Sequence, residues 1–579
     1  MGQPSTQASN AIIYLTYGAF LVFGCYIAFR LRHQSKGEYL AGNRTQTAFP
    51  LALNFIASEN ECEEVRIHHW LFLGLQPVKT TLVSNISDET GSTKEGRPAS
   101  LRAPTLGSGI LFAYPQLATI TGVQGVVVYA ITSAAPLMIF AYLGPIIRKK
   151  CPEGFVLTEW TRQRYGVTTA LFLSFLTLVT MFLYMVAELS ALQQIMNALT
   201  GMNGLPMVIV ECAVTTIYTS LGGFKISFIT DNIQGAMVIA LIIIATITVG
   251  VEAKIDKSLI ESSGLTKPSL LGWQLIYILP VAILTNDFFL SNFWIRTFAS
   301  KTDKDLWIGV SIAAVVTLII LTLVGATGLI ATWSGAFDPN NPDQSGSVAF
   351  FYLLEQLPAW TVGIVLVMVV SLSTAAFDSF QSAMVSTASN DLFRNKLNIW
   401  WVRVAVVLII FPVVVLALKA PSILQIYLIS DLVSASTIPV LVLGLSDRFY
   451  WWRGFEVVVG GLGGILTVFI FGTIYFGNAL QGAKLILLEQ GLYGNDWSAF
   501  GAFVAAPIGG LLWGFLALAL RLTYQYLDAK IKGHRFDALD RPAYLDNQVE
   551  GAPEYAVSDE IHSNPQEGLV TVDHKGKFF

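Results

Sequence analysis

Apolar residues in this chain gather into long runs. Twelve are uninterrupted: 11–31, 123–147, 167–199, 204–220, 228–251, 270–291, 307–333, 360–389, 401–418, 422–445, 455–476 and 499–527. A helix needs about 20 apolar residues to cross a hydrocarbon core of about 30 Å, so each run predicts one crossing. Two shorter pieces, 48–58 and 106–119, are too short to cross alone. Joined end to end they make a thirteenth helix with a Ser/Gly-rich interruption at mid-depth. The expected fold is therefore an all-α polytopic membrane protein of about 13 transmembrane helices.

Composition agrees with this. The chain has 579 residues, 54% hydrophobic and 13% charged, about half the charge of an ordinary soluble protein. A net charge of −4 argues against nucleic acid as a partner. Cys25, Cys62, Cys151 and Cys212 are scattered, which suggests neither a disulfide framework nor a zinc site. The polar start lacks a basic region, so 11–29 reads as a retained helix rather than a cleaved signal.

Every second loop is basic: Arg30–Arg44, Arg148–Arg164, Lys225, Arg296–Lys304, Arg394–Arg403, Arg448–Arg453 and Arg521–Arg535. Basic loops stay cytosolic. This puts the N-terminus outside and the C-terminus in the cytosol, with the plasma membrane as the expected location. Thirteen crossings satisfy that parity only if 48–58 and 106–119 count as one. The polar stretch 530–579 is expected to be a disordered tail.

Ionisable groups inside membrane helices are costly and therefore functional candidates. Asp231 follows the glycine pair Gly222-Gly223, with Thr230 and Gln234 within one turn. It suits either a cation or proton site or the capping of a helix start. Asp378 lies deep in its run. Ser371, Thr374 and Ser382 share its face at helical spacing, as in a cation pathway or in interhelical hydrogen bonding. Asn286 and Asp287 occupy the run containing Pro280, where a proline frees carbonyls to line a cavity or simply kinks the helix.

Five stretches in order carry a resemblance: Glu38–Arg44, Gly154–Gly166, Gly222–Gln234, Trp294–Lys301 and Ser430–Ala435. With them the chain resembles the sodium:solute symporter family, and 146–166 is most similar to its fungal and plant urea-transporter branch. The resemblance implies a core of two inverted five-helix repeats over 48–445, of LeuT-like type, with sites on broken helices. Around it stand an extra N-terminal helix and cytosolic loop (1–47) and two further helices (446–529). It also implies a coupling ion, Na⁺ or H⁺, and no organic cofactor. Na⁺ is expected on the carbonyls of Ala57 and Leu106 and on the hydroxyls of Ser373 and Thr374. Counting back from Asp391 lands instead on Ala375 and Ala376, which have no hydroxyl. Asp231 corresponds to a carboxylate near the cytosolic exit, and Asp378 adds a site for a proton. Ser108, Gly109 and Ile110 are expected to face the solute together with Asn286 and Asp287. Gly109 and Ile110 offer nothing to a sugar.

The implied function is cation-coupled import of a small polar solute, with urea or a polyamine foremost. An amino acid, carboxylate or vitamin is the alternative, and a non-transporting sensor is the reading from another class. Nothing in the chain sets up an enzyme. The stretch 59–105 interrupts the pattern, since Ala57 and Leu106 stand 49 positions apart where the family has three. So charged a segment does not fit inside a packed bundle. It is either a loop expelled into an aqueous vestibule or a translated artefact such as a retained intron. The second is favoured because its flanks rejoin as Ala-Ser-x-Leu-Gly-Ser-Gly.

Overall fold

A computed structural model describes residues 5–31, 40, 46–59, 110–152, 154, 156–341, 344, 346–394, 396–419, 423–488, 496–540 and 578. The helices, in chain order, are α1 (Thr6–Arg30), α2 (Ala48–Glu59), α3 (Ile110–Lys150), α4 (Leu157–Tyr165), α5 (Val167–Thr200) and α6 (Leu205–Glu252). They continue with α7 (Lys257–Ser262), α8 (Leu270–Phe289), α9 (Ser291–Ala299), α10 (Asp303–Trp333), α11 (Ala349–Glu355) and α12 (Ala359–Asp391). The last are α13 (Ile399–Lys419), α14 (Ile423–Val442), α15 (Gly454–Phe476), α16 (Ala479–Ile486) and α17 (Ser498–Lys532). Among the described residues, eleven segments are long and apolar enough to cross a membrane, and Ser430–Leu445 is a shorter apolar helix.

Two glycines fold long helical stretches back on themselves. Gly122 in α3 (φ 65°, ψ −152°) and Gly223 in α6 (φ 61°, ψ −153°) have nearly the same backbone. Only glycine enters that region at little cost. A Cβ on Gly122 would stand 1.8 Å from the Leu265 carbonyl oxygen. Gly223 separates Leu205–Gly223 from Lys225–Glu252, so the second segment begins at Lys225. Asp231 lies well beyond its first turn, which removes the helix-capping reading of that carboxylate.

The pieces of the divided helix pack at opposite ends of α10. Gly309 meets Ala48 and Leu51 of α2, and Gly328 meets Pro115 of α3. Nineteen residues of helix separate those glycines, about 28 Å at 1.5 Å per residue. The start of α2 is tied down on the side where α9 meets α10. Gln46 accepts from Lys301 N at 2.7 Å and donates to the Ala299 carbonyl at 2.9 Å. The Ala48 N–H donates to Asp305 Oδ1 at 3.2 Å.

The run 270–291 departs from expectation. Pro280 is accommodated inside α8, and the helix breaks ten residues later at Leu290 (φ −82°, ψ 102°) before resuming as α9. Arg296, counted above among loop cations, therefore sits on a buried helix. Its side chain is only 1% exposed.

Candidate transport site

The break at Leu290 carries one polar cluster. The Leu290 N–H donates to the Asp287 carbonyl at 3.1 Å, which leaves Asn286 and Asp287 in the last turn of α8. Asn286 donates to the Tyr184 hydroxyl of α5 and accepts from Ser430 of α14 at 3.2 Å. Ser430 in turn pairs with Thr180 of α5 at 2.7 Å, and Thr285 pairs with Ser434 at 3.0 Å. Three helices thus contribute hydroxyls and an amide to one buried spot. Asp287 and Asp431 are buried there, within electrostatic reach of one another. Asp287 Oδ1 has no hydrogen-bond partner among the described residues. Nor does a basic side chain among them form an ion pair with either aspartate.

A second cluster joins α2, α6, α9 and α12. Arg296 of α9 forms an ion pair with Asp231 at 2.9 Å, both side chains essentially unexposed. Its guanidinium also donates to Ser379 Oγ at 2.8 Å and to Asn54 Oδ1. Asn54 donates to the Phe228 carbonyl at 2.9 Å. The cation thus bridges three other helices. Asp378 has a separate shell of hydroxyls: Tyr218 at 2.5 Å, Ser227 at 2.8 Å and Thr230 at 3.1 Å. The two carboxyl groups are linked crosswise. Thr230, next to Asp231, reaches Asp378, while Ser379, next to Asp378, donates to Asp231 at 3.0 Å.

The hydroxyls expected to ligate a cation, Ser373 and Thr374, are buried on α12. Thr374 and Ser371 donate to carbonyls of their own helix at 2.6 and 2.7 Å, and Ser382 does so at 3.0 Å. Ser373 turns toward Glu211 of α6, which accepts from Tyr17 of α1 at 2.5 Å. Ser379 marks the face of α12 that meets Arg296 and, through it, α2. At about 100° per residue, Ala375 and Ala376 lie within roughly 60° of Ser379, and Ser373 and Thr374 lie roughly 120–140° away. The count back from Asp391 thus identifies the residues nearest the α2 side, and they are alanines. Ala57 falls in the last turn of α2, and Ile110 is buried as the first residue of α3. Leu106, Ser108, Gly109 and the stretch 60–105 lie outside the described residues.

Sequence reasoning missed Asn54, Tyr218, Ser227 and Ser379 as partners of the two aspartates, and it did not single out Glu211 or Asp431 as candidate site residues. The signal for the last two was present, since both are carboxylates inside apolar runs.

An apolar bundle with a helix broken at Leu290 packed against α2 (Phe55 and Phe293 stack at 6.4 Å) and ionisable groups gathered near the break has the architecture of a secondary transporter. Comparison with known proteins narrows the class. Over 549 residues, 94% of this chain and 96% of its relative, the chain is 50% identical to the spermidine transporter DUR31 of Candida albicans. A stretch of 123 residues, 21% of this chain and 18% of the relative, is 28% identical to probable urea active transporter 1 of Schizosaccharomyces pombe. Over 124 residues, 21% of this chain and 17% of the relative, the chain is 27% identical to the urea-proton symporter DUR3 of Oryza sativa. No protein-family model matches the chain. In fold it is similar to a Na⁺-coupled sialic acid symporter in its substrate-bound outward-open state, with TM-score 0.64 and 13% identity over 89% of this chain and 97% of that one. It is also similar to the transporter Mhp1 in a closed conformation, with TM-score 0.50 and 12% identity over 84% and 95%. The chain belongs to the family of the spermidine transporter DUR31, and its fold is that of the Na⁺-coupled sialic acid symporter.

Proposed function

We propose that this protein imports a polyamine such as spermidine, driven by a cation gradient. The observation that carries this reading is the pair Asp287 and Asp431, buried at the helix break with no basic partner among the described residues. A buried charge needs a counter-charge, and a protonated amine supplies one. Urea is neutral and leaves both carboxylates uncompensated. The extensive identity to a spermidine transporter supports the same choice. In this reading Asn286 and the hydroxyls of Thr180 and Ser430 orient the ammonium groups. Ala57 and Ile110 remain candidate contacts, as do Leu106, Ser108 and Gly109, which lie outside the described residues. The N-terminus faces outside and the C-terminus the cytosol, at the plasma membrane.

The test is uptake of radiolabelled spermidine and urea by yeast cells lacking their own carriers. A lost hydrogen bond to a charged group costs about 1.5–3 kcal/mol. Asp287→Asn and Asp431→Asn are therefore each expected to raise the KM for spermidine about 10- to 100-fold at unchanged surface abundance. Saturable urea uptake that excess spermidine does not inhibit overturns the reading.

A further inference from the structure

We propose that Asp378 carries the coupling ion, as a proton, in place of a bound sodium; this rests on the reading of the protein as a cation-coupled importer. Three observations support it. The first concerns what α12 offers to α2. A dehydrated hard cation needs a shell of oxygens, and the residues of α12 flanking Ser379 on that side are Ala375 and Ala376. A positive charge is already fixed there, since Arg296 is held by Asn54, Asp231 and Ser379.

The second observation is a count of hydrogens. Ionised carboxyl groups only accept hydrogen bonds, whereas a carboxylic acid also donates one. Thr230 Oγ1 lies 2.8 Å from the Ser227 carbonyl, 3.1 Å from the Ile226 carbonyl and 3.1 Å from Asp378 Oδ2. Its single proton serves a backbone carbonyl or the carboxylate, not both. With Asp378 ionised, Thr230 donates to it. With Asp378 protonated, the acid donates to Thr230, whose own proton turns to the backbone. Ser227 and Tyr218 keep their bonds to Asp378 in both states. One hydroxyl rotation therefore accommodates gain or loss of a proton with no heavy atom displaced.

The third is charge balance. The crossed Thr230–Asp378 and Ser379–Asp231 bonds make the two carboxyls one unit, and Arg296 compensates one negative charge. The unit is neutral with one proton bound and carries one uncompensated charge without it. The other ionisable groups around α12 stand outside this unit, Glu211 within electrostatic reach of Tyr218. On α6 Tyr218 touches Asp378, and Glu211 lies further along with Tyr17 of α1. On α5 Glu188 lies near Tyr17. On α13 Arg403 donates to the Leu221 carbonyl. On α4 Glu159 and Arg162 engage Asn390 and Asp391 at the far end of α12.

The experiment uses the full chain in proteoliposomes at clamped membrane potential, with an internal pH dye and labelled spermidine. Wild type is expected to accumulate spermidine down an imposed proton gradient and to admit protons when spermidine is added. Asp378→Asn should abolish both, bringing accumulation to the equilibrium level, while tracer exchange, which needs no net proton movement, continues. Thr230→Val should keep proton entry but move the pH of half-maximal uptake by half a unit or more, and Asp378→Glu should do the same. These two variants decide the matter if Asp378→Asn does not fold. Spermidine-evoked proton entry in Asp378→Asn overturns the proposal. So does an unmoved pH profile in both other variants, or accumulation driven by a sodium gradient at fixed pH. Proton entry evoked by urea and not by spermidine upholds the proton site and refutes the substrate reading alone.

Discussion

The Arg296–Asp231 pair gives a quantitative test of the architecture. The two side chains are 2.9 Å apart with no measurable exposure on the carboxylate. At an effective dielectric of about 20 their attraction is about 6 kcal/mol, much of it offset by the cost of taking both ions out of water. Removing one partner leaves the other as an uncompensated buried charge, at a cost of about 3–5 kcal/mol. Arg296→Met and Asp231→Asn are each expected to lose that much. The double variant should lose far less than their sum, with a coupling energy of about 3 kcal/mol or more. The assay is a double-mutant cycle on the purified protein in detergent, with unfolding followed by labelling of the buried thiols Cys151 and Cys212. Independent sites add to within about 0.5 kcal/mol. Additivity at that level refutes the claim that Arg296 neutralises Asp231, and with it the charge balance assigned to Asp378.

Two further outcomes follow from the backbone and from the chain's division. Gly122→Ala is expected to destabilise by about 1–3 kcal/mol from its backbone conformation alone, and by more from the collision with Leu265. Gly18→Ala in α1, with open space around it, should cost nothing; equal loss in the same labelling assay refutes the packing argument. A form lacking 59–105 is expected to accumulate spermidine at least as well as the 579-residue chain, and loss of uptake on removing the stretch refutes the reading of it as an artefact.

The helices were legible because a bilayer imposes a length and a composition that show in any window of the chain. The tertiary partners were not. Arg296 looked like a cytosolic anchor because basic residues near run ends ordinarily are. Its placement depends on a break at Leu290 that no glycine or proline announces, while Pro280, the visible signal, is absorbed within α8. The bonds that define the ion cluster join residues 65 to 242 positions apart, beyond any local pattern. The Ser/Thr stripe of α12 was real as a periodicity, yet three of its hydroxyls turn back to their own helix.

Counting the buried acids shows what these helices are suited to move. Of the eight buried acids among the described residues, Asp231 has Arg296, Glu456 has Arg521 at 2.5 Å, Asp391 lies within electrostatic reach of Arg162, and Glu188 within that of Tyr17. Glu211, Asp287, Asp378 and Asp431 are buried with no ion-pair partner among the described residues. Each must be protonated or matched by something that arrives from outside, because an isolated carboxylate in a medium of low dielectric is too costly to keep. A proton site serves a carrier of neutral or of charged solutes, so Asp378 does not bear on the substrate. Asp287 and Asp431 do: in a carrier of polyamines they await the ammonium groups, while Asp378 awaits the proton. On this reasoning Asp287→Asn raises KM with proton entry per spermidine intact, and Asp378→Asn removes proton entry with tracer exchange intact. If either substitution produces the other's phenotype, the two sites are one and the division of labour is wrong.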